Sequence, residues 1–214
     1  MTIHSGFISR LTDATRSVSN SLVELGLRTW PPSGAHVTTD DGLIHLFYVL
    51  DGILTCKRST HLSRVLPREV LRIGGADERV LDNPSRSDSA LAIHVTLAPD
   101  DSTPLSTRHH YFSDDQKDNK LCHIAARERN GRTLATGAPL DLYLTTLGRY
   151  ETVLLDRADD QPLLIQCISG EATINGTPAN LDTQSIEIDG PTATITGSRH
   201  CTVLIIRGQA SDVG

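Results

Sequence analysis

The sequence lacks several features that would place it in a specialised class of protein. Its 214 residues contain no run of 18 apolar residues that could cross a membrane as a helix. The 26 acidic residues outnumber the 20 basic ones and give a formal net charge of −6, so no surplus of positive charge is present to bind a phosphate backbone. We therefore expect neither direct nucleic-acid binding nor membrane attachment.

The cysteines are few and form no recognisable pair. Cys56, Cys122, Cys167 and Cys201 are scattered along the chain without a Cys-x-x-Cys spacing, which argues against a zinc ribbon and a thioredoxin-type redox couple. The first residues also lack the basic segment and following apolar run of a secretion signal. These features predict a cytoplasmic protein with free thiols.

Helical periodicity is weak throughout, and the apolar segments are short, β-branched and separated by turn residues, which predicts an all-β fold. The Asn175-Gly176 pair predicts a tight type I′ hairpin, because both residues tolerate a positive φ. The clearest predicted strands are residues 43–50, 91–97, 140–147, 163–168, 172–174, 185–188, 193–196 and 202–206.

An internal similarity predicts the domain organisation. Residues 47–52 resemble residues 165–170, 118 positions later, since each stretch ends an apolar strand with a small polar or acidic residue and a glycine. Residues 69–74 resemble residues 184–189 at the similar offset of 115. We therefore predict two related β-modules: residues 1–115, which include a polar crossing segment, and residues 116–214.

Four landmarks follow one another along the chain. They are Tyr-Val-Leu-Asp-Gly at 48–52, Asp-Asn-Pro-Ser at 82–85, Tyr-Phe at 111–112 leading to Asn-Lys-Leu at 119–121, and Thr-Ile-Asn-Gly at 173–176. In this order they resemble the landmarks of the pirin family, and the likeness runs from about Gly34 to Gly208. The resemblance implies a bicupin, in which two antiparallel, jelly-roll-like cupin β-barrels share one chain.

The resemblance also implies where a metal would lie. Members of the family hold iron or a similar metal in the N-terminal barrel through a His-x-His pair, a third histidine and a glutamate. Here the paired positions fall on Thr38 and Asp40, the glutamate on Ile44 and the third histidine on Arg79. Neither isoleucine nor an always-charged guanidinium can ligate a metal.

A shift of two residues would add only His36 to this set. We therefore expect no metal cofactor, and we take His36, Thr38, Asp40 and Arg79 as candidates for lining a ligand pocket. Arg79 could hold a carboxylate or phenolate through a bidentate contact, so the predicted ligand is a small aromatic or anionic molecule.

The remaining histidines offer weaker signals. His45 has the opposite strand parity to Ile44, so we predict that it points away from the barrel interior. His94 alternates with apolar neighbours and is predicted to be a satisfied or exposed strand histidine. His123 is adjacent to Cys122, but neighbours on a strand face apart, so no shared site is expected.

Three functions follow from these expectations. The first is a bicupin that has lost its metal site and acts as a small-molecule-binding or regulatory protein, which leaves room for a protein partner. The second is a metal-dependent oxygenase resembling quercetin 2,3-dioxygenase, with an altered ligand set such as His36 and Asp40. The third is a metal-independent cupin isomerase in which His36 or Asp40 is the general acid or base. The fold alone does not separate them.

Overall fold

The computed structural model describes residues 8–10, 21–38, 42–58, 61–74, 79–100, 107–157, 161–183 and 185–208. The regular secondary structure of these residues is almost entirely β-strand, which confirms the predicted all-β fold. The single helix among them, α1 (Asp114–Lys117), has four residues. No helix in the described part of the chain is long and apolar enough to span a membrane.

The chain forms two compact units. Of the described residues, 8–10 and 23–111 belong to the first unit, and 21–22 and 112–208 belong to the second. Each unit contains one six-stranded and one four-stranded sheet.

In the first unit the strands are β1 (Ile8–Arg10), β2 (Leu22–Trp30), β3 (Ala35–Thr38), β4 (Ile44–Asp51), β5 (Leu54–Arg58), β6 (His61–Val65), β7 (Glu69–Ile73), β8 (Arg79–Asp82), β9 (Ala90–Leu97) and β10 (Arg108–Tyr111). The larger sheet has the order β1-β2-β9-β4-β7-β10, and the smaller sheet has the order β3-β8-β5-β6. The strand pairs for which a register is resolved are antiparallel.

In the second unit the strands are β11 (Cys122–Ala126), β12 (Leu134–Ala135), β13 (Leu140–Leu147), β14 (Thr152–Asp156), β15 (Leu163–Ser169), β16 (Glu171–Ile174), β17 (Thr177–Asn180), β18 (Ile186–Ile188), β19 (Thr192–Gly197) and β20 (Cys201–Gly208). The larger sheet has the order β12-β11-β13-β20-β15-β18, and the smaller sheet has the order β14-β19-β16-β17. Strands β11 and β12 pair in parallel.

The two units repeat one topology. The central order β2-β9-β4-β7 of the first unit matches β13-β20-β15-β18 of the second, and β3-β8-β5-β6 matches β14-β19-β16-β17. A register shift interrupts β4 between Val49 and Asp51, and another interrupts β15 between Cys167 and Ser169. This agreement supports the similarity seen in the sequence between residues 47–52 and 165–170.

A glycine with positive φ follows each of these irregularities. Gly52 has φ +73° and Gly170 has φ +71°. A Cβ at Gly52 would lie 2.8 Å from the Cα of Ala90, and a Cβ at Gly170 would lie 2.0 Å from the carbonyl oxygen of His200. Both positions therefore need glycine for its backbone conformation and for the close approach of a second strand.

Each unit has its own apolar core. The first core contains Phe47 and Val49 of β4 together with Leu81 of β8 and Cys56 of β5, so it lies between the two sheets. The second core likewise joins Ile165 of the larger sheet to residues of the smaller one. We call the sheet surface that contacts the core of its unit the inner face. The predicted hairpin is confirmed, with φ 48° at Asn175 and 81° at Gly176.

Candidate functional site

The inner face of the first unit's larger sheet carries two buried histidines. His45 alternates with Phe47 on β4, and Phe47 lies in the core. His45 is 9% exposed, and His94 on the adjacent strand is 4% exposed. The prediction that His45 points away from the interior is therefore wrong, because on β4 the odd-numbered positions face inward and Ile44 lies on the opposite side. The prediction that His94 is a satisfied strand histidine is confirmed.

A hydrogen-bonded chain joins these histidines to a threonine, and we call the three residues the histidine cluster. The Nδ1 atom of His45 lies 3.1 Å from Nε2 of His94, and the hydroxyl of Thr96 lies 3.1 Å from the same Nε2. Register explains the proximity, since His45 pairs with Thr96 and Phe47 pairs with His94. An imidazole Nε2 carries either one N–H or one lone pair, so His45 and Thr96 share a single hydrogen-bonding position on His94.

Aromatic rings surround the histidine cluster. The rings of Phe47 and His94 are parallel within 2°, with centroids 4.4 Å apart. Trp30 meets Phe47 edge-on at 5.9 Å. The indole Nε1–H of Trp30 is buried and has no hydrogen-bond partner among the described residues. The cluster thus combines flat apolar surfaces with a few polar atoms.

Arg79, a predicted pocket residue, lies on the facing sheet. It occupies the same strand face as Leu81, which is part of the core, and it is 2% exposed. Its Nε donates a hydrogen bond to the Thr107 hydroxyl at 3.2 Å. Burial raises the pKa of the nearby Cys56 thiol, and the positive charge of Arg79 opposes that rise. A permanent cation is therefore held inside the first unit.

The other predicted pocket residues are only partly described. In the backbone register Thr38 pairs with Arg79, and His36 pairs with Leu81. The side chains of His36 and Thr38 and the whole of Asp40 lie outside the described residues. Their grouping with Arg79 into one pocket stays a prediction.

The described residues do not fit the metal that this fold holds in other proteins. Within the described ranges no three His, Cys, Asp or Glu side chains come together as a metal site. His45 and His94 supply two imidazoles, and Thr96 adds only a neutral hydroxyl. First-row metals in proteins typically take three or four protein ligands, so the histidine cluster by itself falls short of a catalytic metal centre.

The core of the second unit contains two buried cysteines. Cys167 and Cys201 are both buried in its core and are both free thiols. Burial raises the pKa of Cys167 to about 12, with a smaller contribution from Cys201, and burial also raises the pKa of Cys201. Such thiols are poor nucleophiles and pack as small hydrophobic side chains.

Comparison with known proteins identifies the fold. No protein-family model and no curated protein matches the sequence. Among solved structures, the Escherichia coli pirin YhhW in complex with nickel(II) is 20% identical, with a TM-score of 0.74 over 88% of this chain and 82% of that one. YhaK of E. coli is 16% identical, with a TM-score of 0.75 over 97% and 95%. A quercetin 2,3-dioxygenase of Acinetobacter baumannii is 14% identical, with a TM-score of 0.72 over 98% and 83%.

Proposed function

Because the chain has the fold of the pirin-like bicupins, we propose that its first unit binds a small aromatic or anionic molecule without a metal. The protein is then a small-molecule-binding or regulatory protein. The observation that carries the proposal is the histidine cluster, which places polar atoms inside an otherwise apolar core. These groups are bonded to one another, but packing alone does not require polar groups in an apolar core, so their presence there supports a role in binding.

The chemistry of the lining selects the ligand. Phe47, His94 and Trp30 provide the flat surfaces against which an aromatic ring packs well. The unpartnered indole N–H of Trp30 is a donor that a ligand oxygen or a water could satisfy. Arg79, on the facing sheet, is the cation that a carboxylate or phenolate would contact. A planar acid such as a hydroxybenzoate combines these properties.

A metal-dependent oxygenase is the second candidate, and structural likeness favours it. One neighbour is named a quercetin 2,3-dioxygenase, and another is a pirin with bound nickel. In this chain the oxygenase function requires an altered ligand set, such as one with His36 and Asp40. This function requires a bound metal, which the first function does not.

Metal analysis separates the two. We would measure iron, nickel and copper in the untagged protein by mass spectrometry, as purified and after incubation with iron followed by gel filtration. The binding function predicts metal far below one equivalent in both samples. Near-stoichiometric metal would overturn it and make flavonol oxygenation the next assay.

Ligand binding is then tested with salicylate on the EDTA-treated protein. A saturable rise in melting temperature is expected, because a ligand that binds only the folded state stabilises it. Arg79→Gln should abolish the rise, whereas Arg86→Gln, which changes an exposed arginine of the same unit, should retain it. An unchanged rise in Arg79→Gln would contradict the assigned role of Arg79.

A further inference from the structure

A second polar cluster lies at one end of the larger sheet of the second unit, and we call it the His123 cluster. It comprises His123 of β11, Asp141 and Tyr143 of β13, and Arg207 of β20. His123 pairs with Tyr143, and Asp141 pairs with Arg207 across neighbouring strands. Tyr143 packs against the core of this unit, so the four side chains belong to its inner face.

The cluster contains an oriented imidazole. The Nε2 atom of His123 lies 3.0 Å from Oδ1 of Asp141, and the imidazole ring stacks on the Tyr143 ring at 4.5 Å. An aspartate that accepts from one ring nitrogen fixes the tautomer, so Nδ1 is the nitrogen that carries the lone pair and can accept a proton. The His123 side chain is 30% exposed, so a molecule from solvent can reach it.

Arg207 lies two strands away from this base, next to Tyr143. The guanidinium of Arg207 lies 5.6 Å from the centroid of the Tyr143 ring, and one of its nitrogens donates to the carbonyl oxygen of Asp156 on the smaller sheet. Its Nε–H is buried and meets no acceptor among the described residues. A buried donor without an acceptor is costly, and a ligand oxygen or a water would remove that cost.

The tyrosine completes an acid–base pair. Burial raises the pKa of the Tyr143 phenol, the charge of Asp141 raises it further, and Arg207 opposes the rise. The phenol therefore stays protonated and can donate a hydrogen bond to an oxygen that gains negative charge. Base, donor and cation come from three neighbouring strands.

We propose that the His123 cluster binds small 2-oxo carboxylates, with the carboxylate on Arg207, and that His123 exchanges a proton at the carbon next to the ketone. The imidazole takes the proton as the C–H bond breaks, that electron pair forms the enolate double bond, and the carbonyl pair moves to the oxygen facing Tyr143. Return of a solvent-derived proton restores the ketone. The cycle consumes no oxidant, reductant or metal.

Pyruvate in D₂O tests the proposal. The EDTA-treated full-length protein is incubated with pyruvate, and loss of the methyl proton signal is followed by ¹H NMR while calorimetry measures binding. We expect saturable binding and exchange at least about tenfold faster than in buffer, at the low end of what a positioned general base contributes.

Variants assign the roles. His123→Gln should return exchange to the buffer rate while pyruvate still binds, and Arg207→Met should weaken binding at least about tenfold, the loss expected for a charge-assisted contact. The exposed His200 of the same unit provides a matched control, since His200→Gln should behave as the unchanged protein. Asp141→Asn keeps the imidazole and should slow exchange without loss of binding, which covers the case of a poorly folded His123→Gln.

Two results would overturn the proposal. The first is the absence of saturable pyruvate binding by the folded protein. The second is exchange that persists unchanged in both His123→Gln and Asp141→Asn. Because the cluster lies in the second unit, pyruvate exchange and salicylate binding depend on different residues, so either test can fail without the other.

Discussion

The two units place different chemistry on the same backbone frame. In the first unit His45 pairs with Thr96 and Phe47 with His94, whereas at the corresponding places in the second unit Leu163 pairs with Arg207 and Ile165 with Ile205. Two histidines are thus exchanged for two aliphatic residues without a change in strand order. Backbone features therefore specify the shared strand order, while a few inner-face side chains decide what each unit can bind.

The largest effect should come from the frame itself. Gly170→Ala is expected to lower the free energy of unfolding by roughly 3 kcal/mol or more, since the positive φ and the contact with the His200 carbonyl both disfavour a Cβ. Gly52→Ala, at the matching place in the first unit, should cost somewhat less because its nearest atom lies farther away. Urea unfolding measures both.

Gly176→Ala is the control for these variants. Its φ is +81°, but a Cβ there would meet nothing within 4 Å, so only the backbone penalty of about 1 kcal/mol is expected. Equal losses at Gly170 and Gly176 would show that the close strand approach contributes nothing.

The next effect concerns the histidine cluster. His94→Ile should cost about 1–3 kcal/mol, because His45 and Thr96 each lose a buried hydrogen-bond partner. The double variant His45→Leu with His94→Ile introduces the residues found at the corresponding positions of the second unit, Leu163 and Ile205. It should lower the free energy of unfolding by less than His94→Ile alone, since replacing both hydrogen-bonding partners can be nearly neutral. A double-mutant cycle from denaturant unfolding measures the coupling. Simple additivity of the two changes would contradict the proposed bond.

A pH-dependent effect should distinguish the cysteines of the two cores. The Cys167 thiol ionises near its ordinary value of 9.0 when unfolded and near 12 when folded, so the folded state holds more protons between these values and stability falls as the pH rises. At pH 10 the loss is about 1 kcal/mol.

Stability measured from pH 8 to 10.5 checks this expectation. Cys167→Ala should remove that part of the decline. Cys56→Ala should remove less, because the charge of Arg79 opposes the rise in the pKa of Cys56. The same decline in Cys167→Ala as in the unchanged protein would refute the assignment.

The smallest effect should come from the surface of the first unit. Lys57 and Asp82 form an ion pair of 2.7 Å, and the lysine side chain is 51% exposed. Lys57→Met should change the free energy of unfolding by less than about 1 kcal/mol, as is usual for exposed pairs. A loss as large as that of His94→Ile would mean that outer charges contribute as much as the inner face.

Each of the eight clearest predicted strands corresponds to a strand of the structure, and the described residues contain twelve more. The predicted strand over residues 140–147 has the same bounds as β13, and the hairpin at Asn175-Gly176 follows from turn chemistry alone. By contrast β2 is not among the clearest predicted strands, because a glutamate, a glycine and the buried Arg28 interrupt its apolar pattern. Strand propensity is too weak to overcome such interruptions.

The sites are harder to predict than the strands. The burial of His45 depends on which side of β4 faces the smaller sheet, and the parity of one strand alone does not fix that side. His123 and Asp141 lie 18 residues apart, and only the pairing of β11 with β13 brings them together. A signal that could have found them is the alternation over residues 140–144, where leucines alternate with Asp141 and Tyr143 and so place these two side chains on one face of the strand.

The strand order also has a kinetic consequence. The hairpin of β16 and β17 closes over two residues, whereas β4 must pair with β9, and β15 with β20, across four intervening strands. Topologies dominated by such distant pairings fold in milliseconds to seconds. The local hairpin should therefore form early and the central strands should join late. A molecule that binds the inner face meets the residues of both central strands only after these distant strands have paired.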